Sequence, residues 1–255
     1  MPRKLLLVLA ITVAPGVFGS ATASAQTDTT FCNAALDVDR AVANLQNGSP
    51  KRAAVDRAEV ALAALEATAP PELTPDVATF VGTVRGALDD GDDPTSGSTF
   101  HDDAEAIGAY RYSSCGYQTA DVTLLEYEFD GLPRSFAPGT VAIKLTNTGS
   151  EVHELALARL KTGESFRKTL ARPEDDQGKR LRYVAQSLVE PDQTTYLFVD
   201  LSRAGRYGAA CHIPVGTTST GDLESGEDHG GHGGHGEDAE PHWREGMVTT
   251  FRVAA

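Results

Sequence analysis

The hydrophobic period of this sequence changes near Asp121, and this change constrains the fold more than any other feature. Before it, apolar residues recur three and four positions apart, as they do along one face of an α-helix. After it, apolar and polar residues alternate, as they do in a strand with one buried face. The sequence therefore predicts an α+β chain, with a small helical bundle at 26–118 and a β-sandwich at 119–255.

Four short amphipathic helices are predicted in the first part of the chain. Apolar runs of helical spacing begin at Phe31, Val55 and Val77, and a fourth helix is predicted at 102–112. Segments rich in glycine, proline and acidic residues separate these runs. Helices this short bury a small core, so a covalent link would add useful stability.

The first 25 residues have the pattern of a secretory signal peptide. Arg3 and Lys4 precede an apolar run at 5–13, and the small residues at 23–25 form a cleavage site. The apolar run is short for a membrane span, so a retained anchor is the less favoured alternative. We expect an exported protein with no transmembrane segment after cleavage, which is secreted, periplasmic or associated with the cell envelope.

The three cysteines divide into a predicted pair and a single thiol. Cys32 and Cys115 bracket the helical part, and cysteines of exported proteins meet an oxidising compartment, so we predict that these two form a disulfide. Cys211 then remains as a free thiol, which in an exported protein needs a reason, and copper binding is one. Pairing of Cys211 with either of the other cysteines is the alternative.

The net charge of the chain is strongly negative. It is -14 at pH 7, and it becomes -16 when cleavage of the predicted signal peptide removes Arg3 and Lys4. Such a surface repels nucleic acid and favours a protein partner with a basic surface.

Residues 216–240 have a low-complexity composition, with seven acidic residues, eight glycines and no lysine or arginine. Such a segment buries no core, so we predict a disordered insertion. His229, His232 and His235 recur three positions apart within it. With the neighbouring acidic residues they are candidates for a secondary site that binds additional Cu(II), Zn(II) or Ni(II) loosely. A solvated spacer is the alternative.

A second set of metal-ligating residues lies at the predicted ends of strands. His153 follows a turn in "NTGSEVHEL", Cys211 ends the strand "GRYGAAC", and His242 and Met247 precede the last strand in "PHWREGM". Two imidazoles, one thiolate and a weak thioether form the ligand set of a type 1 copper site. Each of these residues alone has an ordinary structural role as its alternative, but their joint order favours a metal site.

This order of motifs resembles the cupredoxin family, the plastocyanin- and azurin-like blue copper proteins, over roughly residues 120–255. The resemblance implies a Greek-key sandwich, one type 1 copper and single-electron exchange with a redox partner. It also implies that Cys211 supplies the thiolate, His153 and His242 the imidazoles, and Met247 the weak axial ligand. The helical half lies outside the resemblance.

The spacing of the ligands departs from the family pattern, because thirty residues separate Cys211 from His242 where the family has a handful. A long loop costs little closure entropy once strands fix its ends. His212 or a histidine of the insertion is the alternative second imidazole. We favour His242, because "PHWREGM" leads straight into the last strand, which gives His242 and Met247 a rigid base. In addition, His212 directly follows Cys211, so on an extended chain its side chain would face away from the thiolate. His242 is also the expected electron port if its ring edge reaches the surface, with Trp243 as a docking group or a loop-packing residue.

The sequence thus predicts an exported blue copper electron carrier rather than an enzyme. A copper carrier or buffer that captures the metal with its histidine-rich insertion is the alternative function. A third reading is a metal-free sandwich whose helical half binds a protein partner. Reversible redox cycling of the bound copper distinguishes an electron carrier from a copper carrier or buffer.

Overall fold

A computed structural model describes residues 20–43, 52–90, 98–224 and 239–255. Four helices precede two β-sheets in this part of the chain, so the predicted fold class is confirmed. Most of the predicted signal peptide, residues 1–19, lies outside the described residues, and its last residues belong to the first helix. Within the described ranges, no helix combines the length and apolar character needed to cross a membrane.

The helical part contains α1 (Ser20–Ala43), α2 (Arg52–Thr68), α3 (Thr74–Asp90) and α4 (Ser98–Ser114). A 3-10 turn at Pro71–Leu73 leads directly into α3. The predicted apolar faces meet in one core, which includes Phe31, Leu62, Leu65, Val77 and Val84. The fourth helix is longer than the predicted 102–112 at both ends.

The predicted disulfide joins Cys32 in α1 to Cys115, the residue after α4. This bridge closes the ends of the bundle, as expected for a core of this size. Cys211 is free and buried, so the alternative pairings of Cys211 are wrong.

Nine strands and four short helices make up the rest of the described chain. They are β1 (Gln118–Leu125), β2 (Glu128–Asp130), β3 (Ser135–Phe136), β4 (Thr140–Asn147), β5 (His153–Leu160), α5 (Phe166–Leu170), α6 (Glu174–Arg180), β6 (Leu181–Val189), β7 (Thr194–Asp200), β8 (Gly205–Ala210), α7 (Gly221–Glu224), α8 (His242–Glu245) and β9 (Val248–Val253).

The strands form two sheets, with the orders β2-β1-β4-β7 and β3-β9-β8-β5-β6. The chain crosses between the sheets from β4 to β5 and again from β6 to β7. The β1–β4 and β3–β9 pairs are parallel, and the other pairs are antiparallel. Alternate side chains point inward from both sheets and fill one core between them.

Charged residues at 165–186 interrupt the alternating pattern, and the sequence predicts a short helix or an irregular crossover there. Strand β6 corrects this prediction. Helices α5 and α6 occupy the first part, but β6 begins at Leu181 and lies at the edge of its sheet beside β5. The pairing register shifts between Leu157 and Ala158. This irregularity interrupts the regular pairing of β6 with β5. Most β6 side chains also reach solvent, so the sequence of β6 lacks the alternating pattern that indicates a strand.

The helical part packs against β7. Arg111 of α4 is buried, its guanidinium donates to the Asp39 carboxylate of α1 at 2.5 and 3.2 Å, and it lies 3.5 Å from the centroid of the Phe198 ring. A methyl group on Gly108 would lie 2.7 Å from the Tyr196 ring, so α4 approaches β7 closely at this glycine. The helical half therefore covers part of one sheet face.

Candidate metal centre

The structure brings the metal-binding atoms of His153, Cys211 and His242 together. One such atom from each residue lies within 4.8 Å of the other two, and all three residues are buried. Nδ1 of His242 is 3.1 Å from Nδ1 of His153 and 3.3 Å from Sγ of Cys211. Two imidazoles and one thiol therefore face a common point.

Sheet topology explains this convergence. Strand β5 is antiparallel to its neighbour β8, so the start of β5 at His153 and the end of β8 before Cys211 lie at the same edge. Strand β9 is antiparallel to β8 on the other side, and Ala210 is paired with Val248. The α8 turn that carries His242 immediately precedes β9 and so reaches the same edge.

Met247 lies between the two segments that carry Cys211 and His242. Its carbonyl accepts a hydrogen bond from the Cys211 amide at 3.1 Å, and its own amide donates to the His242 carbonyl at 3.0 Å. The Met247 side chain is buried in the same core cluster as Cys211. Its role as a weak axial ligand stays a prediction.

The ends of the insertion are held together by a short antiparallel ladder. The His242 amide donates to the Ile213 carbonyl at 2.9 Å, and the Val215 amide donates to the Glu240 carbonyl at 3.0 Å. A bridge between Pro214 and Pro241 lies between these bonds. The ladder brings His242 back to Cys211 despite the thirty residues between them, as expected from the low cost of closing a long loop.

The predicted disorder of 216–240 does not extend over its first residues. The Thr217 carbonyl accepts from the Val152 amide at 2.7 Å, and the Thr220 amide donates to the Glu190 carboxylate at 3.1 Å. Thr217 is thus held against the turn before β5, and Thr220 is held against Glu190, the residue that follows β6. His229, His232 and His235 lie outside the described residues, so their secondary metal site stays a prediction.

His212 lies apart from this group, as strand alternation predicts. Its amide donates to Oε2 of Glu154 at 3.2 Å, and its ring is 6.2 Å from the Tyr183 ring. Its Nε2 is buried and has no hydrogen-bond partner among the described residues. The convergent group contains His242 and not the alternative His212.

Burial sets the protonation of the three groups in the metal-free protein. It raises the pKa of the Cys211 thiol to about 12, although the Glu154 amide donates to Sγ at 3.2 Å and opposes this shift. Burial and the neighbouring His242 lower the pKa of His153 to about 4. Burial also lowers the pKa of His242, and the hydrogen bond that His242 donates to the Glu151 carboxylate opposes this shift. Both imidazoles are therefore neutral at neutral pH, which is the metal-binding form, and metal binding would displace the thiol proton.

The outer edge of His242 is closed, so the condition for an exposed electron port at this residue is not met. The residue is 0% exposed, and its Nε2 lies 2.8 Å from Oε2 of Glu151. The neighbouring Trp243 is 7% exposed and packs with Phe166 and Leu170, so it acts as a packing residue. Sequence reasoning missed Glu151, because an acid two positions before a histidine carries no signal by itself.

The residues present fit copper. A thiol and two neutral imidazoles are the donors that copper prefers in a trigonal site, and the three groups here converge without a fourth strong ligand among the described residues. His153 Nε2 has no hydrogen-bond partner in the described structure, and its Nδ1 faces His242 Nδ1 at 3.1 Å.

Solved structures of copper proteins are similar to about half of this chain. An auracyanin from Roseiflexus castenholzii is 18% identical, with 54% of this chain and 98% of that chain covered and a TM-score of 0.32. Auracyanin A, a "blue" copper protein from Chloroflexus aurantiacus, is 20% identical, with coverages of 39% and 90% and a TM-score of 0.29. A multicopper oxidase from Aquifex aeolicus is 17% identical, with coverages of 55% and 30% and a TM-score of 0.29. No protein-family model and no curated protein matches the sequence.

Proposed function

We propose that this protein is a single-electron carrier that holds one type 1 copper through Cys211, His153 and His242, with Met247 as the weak axial ligand. The observation that carries the proposal is the buried convergence of one thiol and two imidazole nitrogens. When bound, copper supplies a one-electron couple between Cu(I) and Cu(II) that soft sulfur and imidazole ligands support.

The protein residues hold the ligands in place and exclude water. The Glu154 amide points its hydrogen at Cys211 Sγ, where it stabilises negative charge on the sulfur. Backbone hydrogen bonds through Met247 tie the Cys211 and His242 segments to each other. Such preorganisation keeps the ligand geometry similar in both oxidation states, which favours fast electron exchange.

Burial of the site favours a carrier over a catalyst. His153, Cys211 and His242 are each 0% exposed, so a substrate molecule has no approach to the donor atoms. An electron, in contrast, crosses a thin protein layer without direct contact.

We propose a redox partner with a basic surface. Glu126 and Glu245 are exposed in the region around the site. Burial is the main cause that raises the pKa of Tyr127, and the negative charges of Glu151, Glu245 and Glu126 raise it further. The whole chain carries a charge of -14, which adds to this local field. Opposite charges on a partner would speed the encounter.

We also propose that the protein is exported. The leader pattern of the first 25 residues supports this, and so does the Cys32–Cys115 disulfide, since disulfides persist in oxidising compartments.

The first experiment is a visible absorption titration of the mature protein with Cu(II), run in parallel on a Cys211→Ser variant. We expect an intense red-region band that saturates at one copper per chain and is absent from the variant. Voltammetry of the loaded protein should then show a reversible one-electron wave.

Three other outcomes would contradict the proposal in different ways. Weak absorption that survives Cys211→Ser would place the copper on other residues, with the histidine-rich insertion as the first candidate. A thiolate band without reversible cycling would indicate a copper carrier or buffer. No copper binding at all would leave a metal-free sandwich.

A further inference from the structure

The carboxylate of Glu151 joins His242 to two other parts of the molecule. Its Oε2 lies 2.8 Å from His242 Nε2 and also accepts the Gly216 amide at 2.7 Å. Its Oε1 accepts the Tyr127 hydroxyl at 3.4 Å. The side chain is 15% exposed, so solvent competes little for these hydrogen bonds.

These contacts define how the His242 imidazole is protonated. A neutral imidazole carries its proton on one nitrogen, and a carboxylate oxygen only accepts. The proton therefore resides on Nε2, between His242 and Glu151. The Nδ1 lone pair is then free and faces His153 Nδ1 and Cys211 Sγ.

The backbone of Tyr127 supports this arrangement. Tyr127 has a φ of 67°, a left-handed conformation that is uncommon for a residue other than glycine. This conformation holds the Tyr127 ring edge-on against the His242 ring, with 5.1 Å between centroids, while the hydroxyl reaches Glu151. Strain of this kind persists where surrounding contacts determine the conformation, and it concentrates at functional sites.

The two imidazoles of the centre differ in this respect. Nε2 of His153 is buried without a hydrogen-bond partner among the described residues, and a methyl group on Gly149 would lie 2.9 Å from it. No carboxylate of the described structure binds that nitrogen. Of the two imidazoles, only His242 is thus hydrogen-bonded to a carboxylate, whereas Glu126 and Glu151 act on His153 through their charge alone.

We infer that Glu151 is a positioning residue that fixes the tautomer and orientation of His242 and makes this imidazole the stronger donor of the two. The part of this inference that concerns copper rests on the proposed function. A carboxylate behind a ligand imidazole raises the basicity of the ligand and places negative charge near the metal. Glu151 therefore favours Cu(II) over Cu(I) and lowers the reduction potential of the site.

The chain allows charge and hydrogen bonding to be separated. In Glu151→Gln, an amide oxygen at the Oε2 position still accepts from His242 and Gly216, and the amide nitrogen faces the Tyr127 hydroxyl, which accepts. In Glu151→Ala, both the charge and the hydrogen bonds are lost. Glu190→Gln is the matched control, because Glu190 accepts from Thr220 of the same insertion and follows Val189, the residue paired with His153.

The first measurement uses the metal-free protein, so it does not depend on copper. Nitrogen-15 NMR of the histidine side chains should show His242 as the Nε2–H tautomer in the wild type and in Glu151→Gln. In Glu151→Ala we expect a mixture of tautomers. An unchanged Nε2–H tautomer in Glu151→Ala, with the fold retained by circular dichroism, would overturn the positioning role.

The second measurement is the reduction potential of the copper-loaded variants. We expect Glu151→Gln to lower the preference for Cu(II) over Cu(I) by about tenfold, which corresponds to a rise of about 59 mV for one electron. Glu151→Ala should weaken Cu(II) binding by roughly 10- to 100-fold, and Glu190→Gln should change neither quantity.

The charge effect would be overturned if Glu151→Gln and Glu190→Gln shifted the reduction potential equally, or if Glu151→Gln did not shift it. If Glu151→Ala does not fold, Glu151→Gln and its control still decide this point. If the wild type forms no thiolate–copper complex, the proposed function fails, while the tautomer measurement still decides the role of Glu151.

Discussion

Each side of the strand end at Cys211 holds a histidine and a glutamate, but only the inner side forms a candidate metal centre. On the inner side, His242 turns Nδ1 toward Cys211 at 3.3 Å and binds Glu151 through Nε2 at 2.8 Å. On the outer side, Glu154 accepts the backbone amide of His212 and leaves the imidazole Nε2 without a partner in the described residues. Convergence of lone pairs, and not the presence of histidine and glutamate, separates the two sides.

The largest difference in copper binding between the two sides should appear when His242 and His212 are each replaced by alanine. We expect His242→Ala to abolish the thiolate–copper band. Substitution of a residue that hydrogen-bonds to a metal ligand costs roughly 10- to 100-fold in metal affinity, and the loss of Cu(II) affinity in His242→Ala should be larger. His212→Ala should keep the band and the stoichiometry, since its ring lies beside Tyr183 and outside the convergent group. A Cu(II) titration of both variants measures this difference.

The reverse result, with copper binding lost in His212→Ala and retained in His242→Ala, would show that the two sides exchange roles when metal binds. Loss in both variants would mean that the inner and outer sides are not independent. Circular dichroism of the metal-free variants separates either result from unfolding.

The distinction between the two histidines could be predicted from the sequence, because it follows from local geometry. Residues adjacent along an extended chain face opposite sides, so placing Cys211 inward places His212 outward. The helical faces followed from an equally local pattern, whereas the disulfide followed from the position of Cys32 and Cys115 at the two ends of the helical part. The strand β6 did not, since an edge strand with a register shift loses the regular alternation on which such predictions depend.

The surroundings of the site could not be predicted in the same way. Glu151 meets His242 across 91 positions and Gly216 across 65, through contacts that exist only after the sheets pack. The buried edge of His242 has the same origin, because Glu151 and the Tyr127 ring, which are distant in sequence, contact its imidazole. The positions of the candidate ligands follow from where the strands end, whereas their surroundings depend on how the loops pack.

Two glycines, one on each side, allow the outer and inner sides to be compared through smaller expected effects. A methyl group on Gly208 would lie 2.3 Å from the Phe166 ring, which covers the outer side of the sheet. We expect Gly208→Ala to lower the free energy of unfolding by about 1–3 kcal/mol, since overpacking forces a buried ring to move. The copper band should remain unchanged. Urea unfolding and a Cu(II) titration measure the two quantities.

Gly149→Ala is the matched variant on the inner side. Its methyl group would lie 2.5 Å from Glu126 Oε1 and 2.9 Å from His153 Nε2. The exposed Glu126 side chain can move away at the cost of its hydrogen bonds to Ser150, so we expect a smaller loss of stability than in Gly208→Ala. Pressure on the His153 ring should weaken Cu(II) binding. If both variants lose stability and copper equally, packing of the outer side and geometry of the inner side are coupled.

The smallest effect concerns the crossover that covers the outer side. The Glu164 carboxylate binds Arg172 at 2.7 and 3.0 Å and accepts from Thr169 at 3.2 Å, which holds α5 in place. The hydrogen bond from Arg172 is the main cause that lowers the pKa of Glu164 from 4.5 to about 2. Because the folded pKa is the lower one, the stabilisation is fully present above 4.5 and is lost as the pH falls toward 2.

Glu164→Gln should therefore have a lower free energy of unfolding than the wild type at neutral pH. The difference in this free energy should become smaller as the pH falls from about 4.5 to about 2. The ion pair reaches solvent, so added salt should reduce the difference at neutral pH as well. Urea unfolding across this pH range measures it. A difference that stays constant with pH would mean that Glu164 acts through the shape of its hydrogen bonds and not through its charge. In either case the copper band at neutral pH should match the wild type, since the outer side supports the sheet without contributing a ligand.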